Sequence, residues 1–390
     1  MISDYTSDLA KTRVDIAALE AISERDRRDP EKRVRLAYRQ FHRASLTGDE
    51  ADFEAVNQTI ACVIRNFGPN EEICLLKANL DGRFHRLAQV KEDLRMCPSL
   101  AGRHAGRSIL TDVDFEEGRY DAACAGLEAL LDEKRTWDNL ARLAHWQGKT
   151  GRPEEADRLY EEAEDELTAK EMRSFAWLEL QRGAVALSRG RCGKARMHYQ
   201  RAAASFPGDW QTDVHVVKLL AAEGNLGGAL PLLRNVVARA PKPELKQALG
   251  ELLACMGRAA EARPWLDAAA AAFLASAQTG GVHYYHHLAD VYADMPGHQA
   301  EAVEWARKDV VLRPNFATQA ALAWALLQNG EVREAVEWVR RALSSGVEDS
   351  GIFATASSVF QAAGDAAEAD RCARAAAAIN PQGNGFHILH

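Results

Sequence analysis

One regularity constrains this chain more than any other. Ten glycines stand at Gly48, Gly82, Gly118, Gly151, Gly190, Gly224, Gly257, Gly297, Gly330 and Gly364, separated by 34, 36, 33, 39, 34, 33, 40, 33 and 34 residues. A second series keeps the same step: Ala123, Ala156, Ala195, Ala229, Ala262, Ala302, Ala335 and Ala369. Two residue types in phase over most of a chain mark a repeat architecture, in which each unit buries its apolar face against its neighbours. The 390-residue length, which would otherwise suggest two or three globules, is therefore read as one elongated stack.

Each unit carries the same local logic. A helical segment such as ALAWALLQNGE runs into Gly330, where a residue free to adopt positive φ ends the helix and lets the chain reverse. The following segment places Val332, Ala335, Val336, Val339 and Leu343 at i, i+3, i+4 and i+7 spacing, one face of a helix. The alanine lets the two helices approach closely. Pro207, Pro241, Pro314 and Pro381 then close units, because proline cannot continue a helix interior. No alternating β-branched run is bounded by turn signals, so the expected class is all-α.

These units resemble the tetratricopeptide repeat, a 34-residue helix–turn–helix. Leu143-Ala144, Leu249-Gly250, Leu288-Ala289 and Leu322-Ala323 match its early Leu–small pair. Leu220, Leu253, Tyr292, Leu326 and Phe360 match the large residue four positions before the glycine, and Tyr160 and Tyr199 match the aromatic of the second helix. Ala163, Ala202, Ala269, Ala342 and Ala376 match a later small position. The family's early Trp is absent at its expected place. The resemblance is strong over 104–381 and weaker before it. It implies an α-solenoid of about ten hairpins wound as a right-handed superhelix, with a concave groove that holds a protein or peptide partner.

The expected organisation is a capping helix and divergent repeats over 1–103, repeats over 104–278, further repeats over 282–381, and a tail over 382–390. Within the first part, residues 1–28 read as a polar capping helix and Asp29-Pro30 as a helix start. The two long steps mark insertions near 164–172, expected to lengthen a helix, and near 276–283, where Gly280-Gly281 suggests a flexible joint between two sub-stacks.

The polar cluster HYYHHLADVYAD, residues 283–294, is the main candidate for chemistry. On a helix, His283 and His287 lie one turn apart, as do His286 and Asp290, with Asp294 a turn further. In the register of the resembled family, His283, His286, Asp290 and Asp294 line the inner wall, and Trp324 falls on the wall of the next repeat. These five are the expected partner-binding residues. Two readings stay open: a polar groove that grips a partner, or a transition-metal site held by His283, His286, His287 and Asp290, since imidazole and carboxylate are the ligands such metals accept. The family's carboxylate clamp is not matched, its positions carrying Gln247, Glu251, Val214 and Lys218.

Other classes are disfavoured. The chain has 48 Lys+Arg against 56 Asp+Glu, a net charge of −8, and no basic stretch with interleaved aromatics, so nucleic acid is not an expected partner. Nucleotide-binding glycine loops, nucleophile elbows and His-Glu-x-x-His are missing, so no enzyme and no cofactor are expected. Seven scattered cysteines without Cys-x-x-Cys argue against a disulfide framework. With neither a secretory signal nor an apolar span, the expectation is a cytoplasmic protein without a membrane partner. The tail NPQGNGFHILH places Phe386, Ile388 and Leu389 between His387 and His390, a segment that could dock or bring further histidines to a ligand.

Overall fold

The computed structural model describes residues 4–26 and 28–383. Among them are 22 helices and no strand. The N-terminal part comprises α1 (Tyr5–Arg25), α2 (Pro30–Thr47), α3 (Glu50–Phe67), α4 (Glu71–Arg83), α5 (Leu87–Met96), α6 (Pro98–Ala101), α7 (His104–Glu116) and α8 (Tyr120–Glu133). The middle comprises α9 (Trp137–Lys149), α10 (Pro153–Asp165), α11 (Met172–Ser188), α12 (Cys192–Ser205), α13 (Trp210–Ala222), α14 (Leu226–Arg239), α15 (Pro243–Cys255) and α16 (Ala259–Gln278). Then follow α17 (Tyr285–Ala293), α18 (Gln299–Leu312), α19 (Phe316–Gln328), α20 (Val332–Ser344), α21 (Ser350–Ala362) and α22 (Ala366–Ile379). Leaving aside α1 and the one-turn α6, these form ten antiparallel hairpins packed in chain order, an all-α solenoid.

The repeat signals act as expected, with one exception. Nine of the ten glycines hold φ between 67° and 86° at the hairpin turns. Gly82 instead lies inside α4, and the left-handed position passes to His85 at φ 57°, the one non-glycine residue with positive φ among those described. Asp49, Asp209, Asn315, Asp349 and Asp365 cap helix starts, accepting from backbone N–H groups of the first turn. Ala156, Ala195, Ala229, Ala302 and Ala335 have no exposed surface, so they set the spacing between paired helices. Both insertions go with long helices, 17 residues in α11 and 20 in α16. Past Gly280-Gly281 the apolar core continues, with Phe273 of α16 packing on Tyr284 at 4.7 Å between ring centroids.

The stack coils until it meets itself. The N-terminus of a first helix seats on the C-terminal end of the first helix six hairpins earlier. Thus Asn315 Nδ2 donates to the Glu116 carboxylate across 199 residues, and Phe316 N–H donates to the Tyr120 hydroxyl across 196. Likewise Lys149 pairs with Asp349 across 200 residues, and Cys192 Sγ donates to Gln382 across 190. The first hairpin is set deeper: Arg173 donates to the Ser45 carbonyl, and the Trp210 indole to that of Leu46. Tyr5 N–H at the head of α1 reaches the Pro207 carbonyl. This helix therefore does more than cap one end, because it also packs against the next turn.

Candidate binding channel and the histidine seam

A solenoid whose successive turns touch walls in the space between them. From α7 to α11 this space opens into a cavity of about 390 Å³. Trp137 and Trp177 meet there edge to face at 6.2 Å, beside Phe115, Trp146 and Tyr160. Trp177 keeps 40% of its surface exposed, unusual for so large an apolar group. Arg142 holds the polar rim, donating from Nε to Asp112 at 2.8 Å and from Nη1 to Asp138 at 2.9 Å.

Asp112 leaves 51% of its side chain accessible, yet desolvation raises its carboxyl against the pull of Arg142. Both hold at once where protein surrounds a carboxylate closely while part of its surface stays open to solvent. Desolvation likewise takes His145 down to about 4, with Lys149 adding repulsion, so this imidazole is neutral. Lys218, on the same wall, is pulled to about 8 by desolvation and by Lys149, and His215 beside it to about 3.

Further round the wall the sign of the charge reverses. Desolvation raises Glu251 to about 7; a hydrogen bond from Gln247 at 2.7 Å opposes this, and the charges of Asp290 and Asp294 add to it. Asp290 rises to about 7, by desolvation and then repulsion from Asp294 and Asp309. Asp294 is raised by desolvation and eased by a hydrogen bond from Trp324. The structure thus gathers Asp290, Asp294 and Trp324 with Glu251 on one stretch of wall.

The histidines go elsewhere. His283 is not helical: it sits in the turn before α17, because the Gly280-Gly281 break delays the helix until Tyr285. It packs edge-on against Phe84 at 4.9 Å and lies 3.7 Å from Glu50. His287 turns inward, where it is 8% exposed, bonds Gln247 at 2.8 Å and stacks on Phe273. His283 and His287 border one cavity but engage different partners, Glu50 and Gln247. His286 turns toward His85, 6.0 Å between ring centroids. These groups border a second cavity, of about 300 Å³, where α4 meets α17 across the turns. His85 is neutral there, its pKa lowered to about 3 by desolvation and then by Arg313. Tyr284 O–H donates to Glu50 at 2.6 Å and Glu244 at 3.4 Å and locks the seam.

As a metal centre the set does not fit. Among the described residues no group of three or more His, Cys, Asp or Glu side chains could hold a metal ion. His287 bonds Gln247, and Asp290 belongs to the channel wall. The histidines of the tail, His387 and His390, lie outside the described residues. Among the described residues no helix is long and apolar enough to cross a membrane.

Two groups that line these cavities stand outside the residues expected from spacing. His85 joins the cluster from some 200 residues away and carries no local signal. Trp137 does carry one: it stands fourteen residues before Gly151, as Trp177 stands thirteen before Gly190, so both occupy nearly the same place in adjacent repeats. No protein-family model matches this chain, and no curated protein does.

Proposed function

We propose that this chain is a non-catalytic binding module, a tetratricopeptide-like solenoid that holds an extended protein or peptide segment in its channel. The observation that carries this reading is the 390 Å³ cavity with Trp137 and half-exposed Trp177 on its wall. A wall of rigid aromatic side chains ringed by satisfied polar groups is how binding sites anchor a bulky apolar side chain. Arg142, held by Asp112 and Asp138, fixes the polar rim without leaving a bare charge at the anchor point. Beyond the cavity, the acidic wall of Glu251, Asp290 and Asp294 with Trp324 suits a basic or neutral polar stretch of the same segment.

Selection of a displayed library of random peptides on the purified protein tests this. Enriched peptides are expected to share a large apolar residue, and Trp137→Ala with Trp177→Ala is expected to weaken their binding by about tenfold or more. Peptides that bind the double variant unchanged, or a library that yields none, would overturn the reading.

A further inference from the structure

The cysteines, scattered in sequence, are not all scattered in space. Cys74 lies in the first turn of α4, and Cys97 directly follows α5. These two helices form an antiparallel hairpin, closed at one end by the short connection 84–86. At its other end the two sulfur atoms stand 2.7 Å apart. Non-bonded carbon atoms rest at about 3.5–4.0 Å, and sulfur is larger, so nothing fits between these thiols. Cys74 has no exposed surface and Cys97 has 9%. The other five cysteines form no such pair among the described residues.

We propose that Cys74 and Cys97 are a redox pair that a hydroperoxide converts to a disulfide, stapling the open end of the α4–α5 hairpin. The chemistry balances with hydrogen peroxide as oxidant. The Cys97 thiolate, nearer the surface, attacks one peroxide oxygen; the O–O bond breaks, water leaves, and a sulfenic acid remains. The Cys74 sulfur then attacks that sulfenic sulfur, the S–S bond forms, and the hydroxyl departs as a second water. Two electrons pass from the pair of sulfurs to the peroxide oxygens, and a dithiol reductant reverses the step.

The surroundings set the pace. Burial pushes the Cys74 thiol up to about 12, with the Cys97 sulfur and Asp93 adding to the shift. The thiolate is the reactive form, so oxidation follows brief opening of the α5–α6 end and is slow in the closed hairpin. The staple matters because this hairpin carries Phe84 and His85 at its tip, the groups that meet His283 and His286 across the seam. Fixing its far end restricts the swing of that tip and lowers the freedom of the unfolded segment.

The test uses the full chain, reduced and then exposed to hydrogen peroxide, quenched by alkylation in denaturant and mapped by mass spectrometry. A cross-linked peptide containing Cys74 and Cys97, lighter by two hydrogens and split by dithiothreitol, is expected. Oxidised wild type is expected to melt higher than reduced wild type, and Cys97→Ser to show no such rise. Both cysteines remaining alkylatable, either one pairing with another cysteine, or Cys97 ending as sulfinic acid without a cross-link would overturn the proposal. The mapping needs only the native sequence, so it decides the matter even where a variant folds poorly.

Discussion

The two turns meet along one seam, but neighbouring stretches of it are built from opposite materials. Where α19 lands on α7 and α8, the contact is aromatic: Phe316 and Tyr120 stack at 5.5 Å, Tyr120 and Trp146 at 5.1 Å, and Phe115 meets all three edge to face. Where α17 lands on α4, one hairpin away, the contact is a 300 Å³ cavity edged by His85, His283, His286, Arg83 and Glu50. The backbone relationship is the same in both, a first-helix start on a first-helix end. Repeat geometry thus fixes where turns touch, and the residues placed there decide how firmly and under what conditions.

The largest expected effect lies on the aromatic side. Phe316→Ala removes a ring that is 4% exposed and is expected to cost about 3–5 kcal/mol in urea unfolding, nearly independent of pH. A loss below about 1 kcal/mol would erase the contrast between the two stretches. On the histidine side, Tyr284→Phe deletes the hydroxyl shared by Glu50 and Glu244 and is expected to cost about 1–2 kcal/mol.

Acid sharpens the comparison further. The folded pKa of His85 is about 3, below the 6.5 of the free side chain, so the unfolded chain binds more protons between those values. The stability His85 brings is therefore full above the upper value and lost as pH falls through the window. Glu50 acts in the same direction: the neighbouring His283 imidazole, against desolvation and helped by a hydrogen bond from Tyr284, lowers its carboxyl below the usual 4.5. His85→Asn keeps a side chain that tolerates positive φ. It is expected to remove about 1 kcal/mol of the stability change between about pH 7 and about pH 5, after allowance for water in the cavity. An unchanged pH slope would show that protonation is accommodated without cost.

The channel wall supplies the opposite sign and the smallest effect. Asp290, raised to about 7, binds protons in the folded state that the unfolded chain has released, so its contribution falls as pH rises toward neutrality. Asp290→Asn is expected to stabilise the protein by about 0.5–1 kcal/mol near pH 8, with a clearly smaller gain near pH 5. Equal stabilisation at both values would place this carboxyl in an ordinary solvated setting.

Much of the architecture is written locally. The glycine step locates the hairpin turns, Pro207, Pro241 and Pro314 fall between helices, and Pro381 follows α22. Register alone places Asp290 and Asp294 together, because positions one turn apart on a helix stay on one face wherever the helix goes, while Trp324 reaches Asp294 because α19 packs against α17. Spacing misplaces His283 for an equally local reason: it puts that residue on the helix, and the glycine pair postpones the helix start. The Gly82 turn shifts to His85 because α4 runs on through the glycine.

What the sequence alone determined is the repeat and its all-α class, both of which depend on contacts within a unit or between neighbours. Only the tertiary structure decided that the stack closes on itself after six hairpins, which made a channel of the groove. It alone brought His85 to His286 and Phe316 to Tyr120 across some 200 residues, and Cys74 to Cys97 along one hairpin. The reason is geometric. Small rotations between successive hairpins accumulate over the stack, and no single unit encodes where their sum returns the chain to itself.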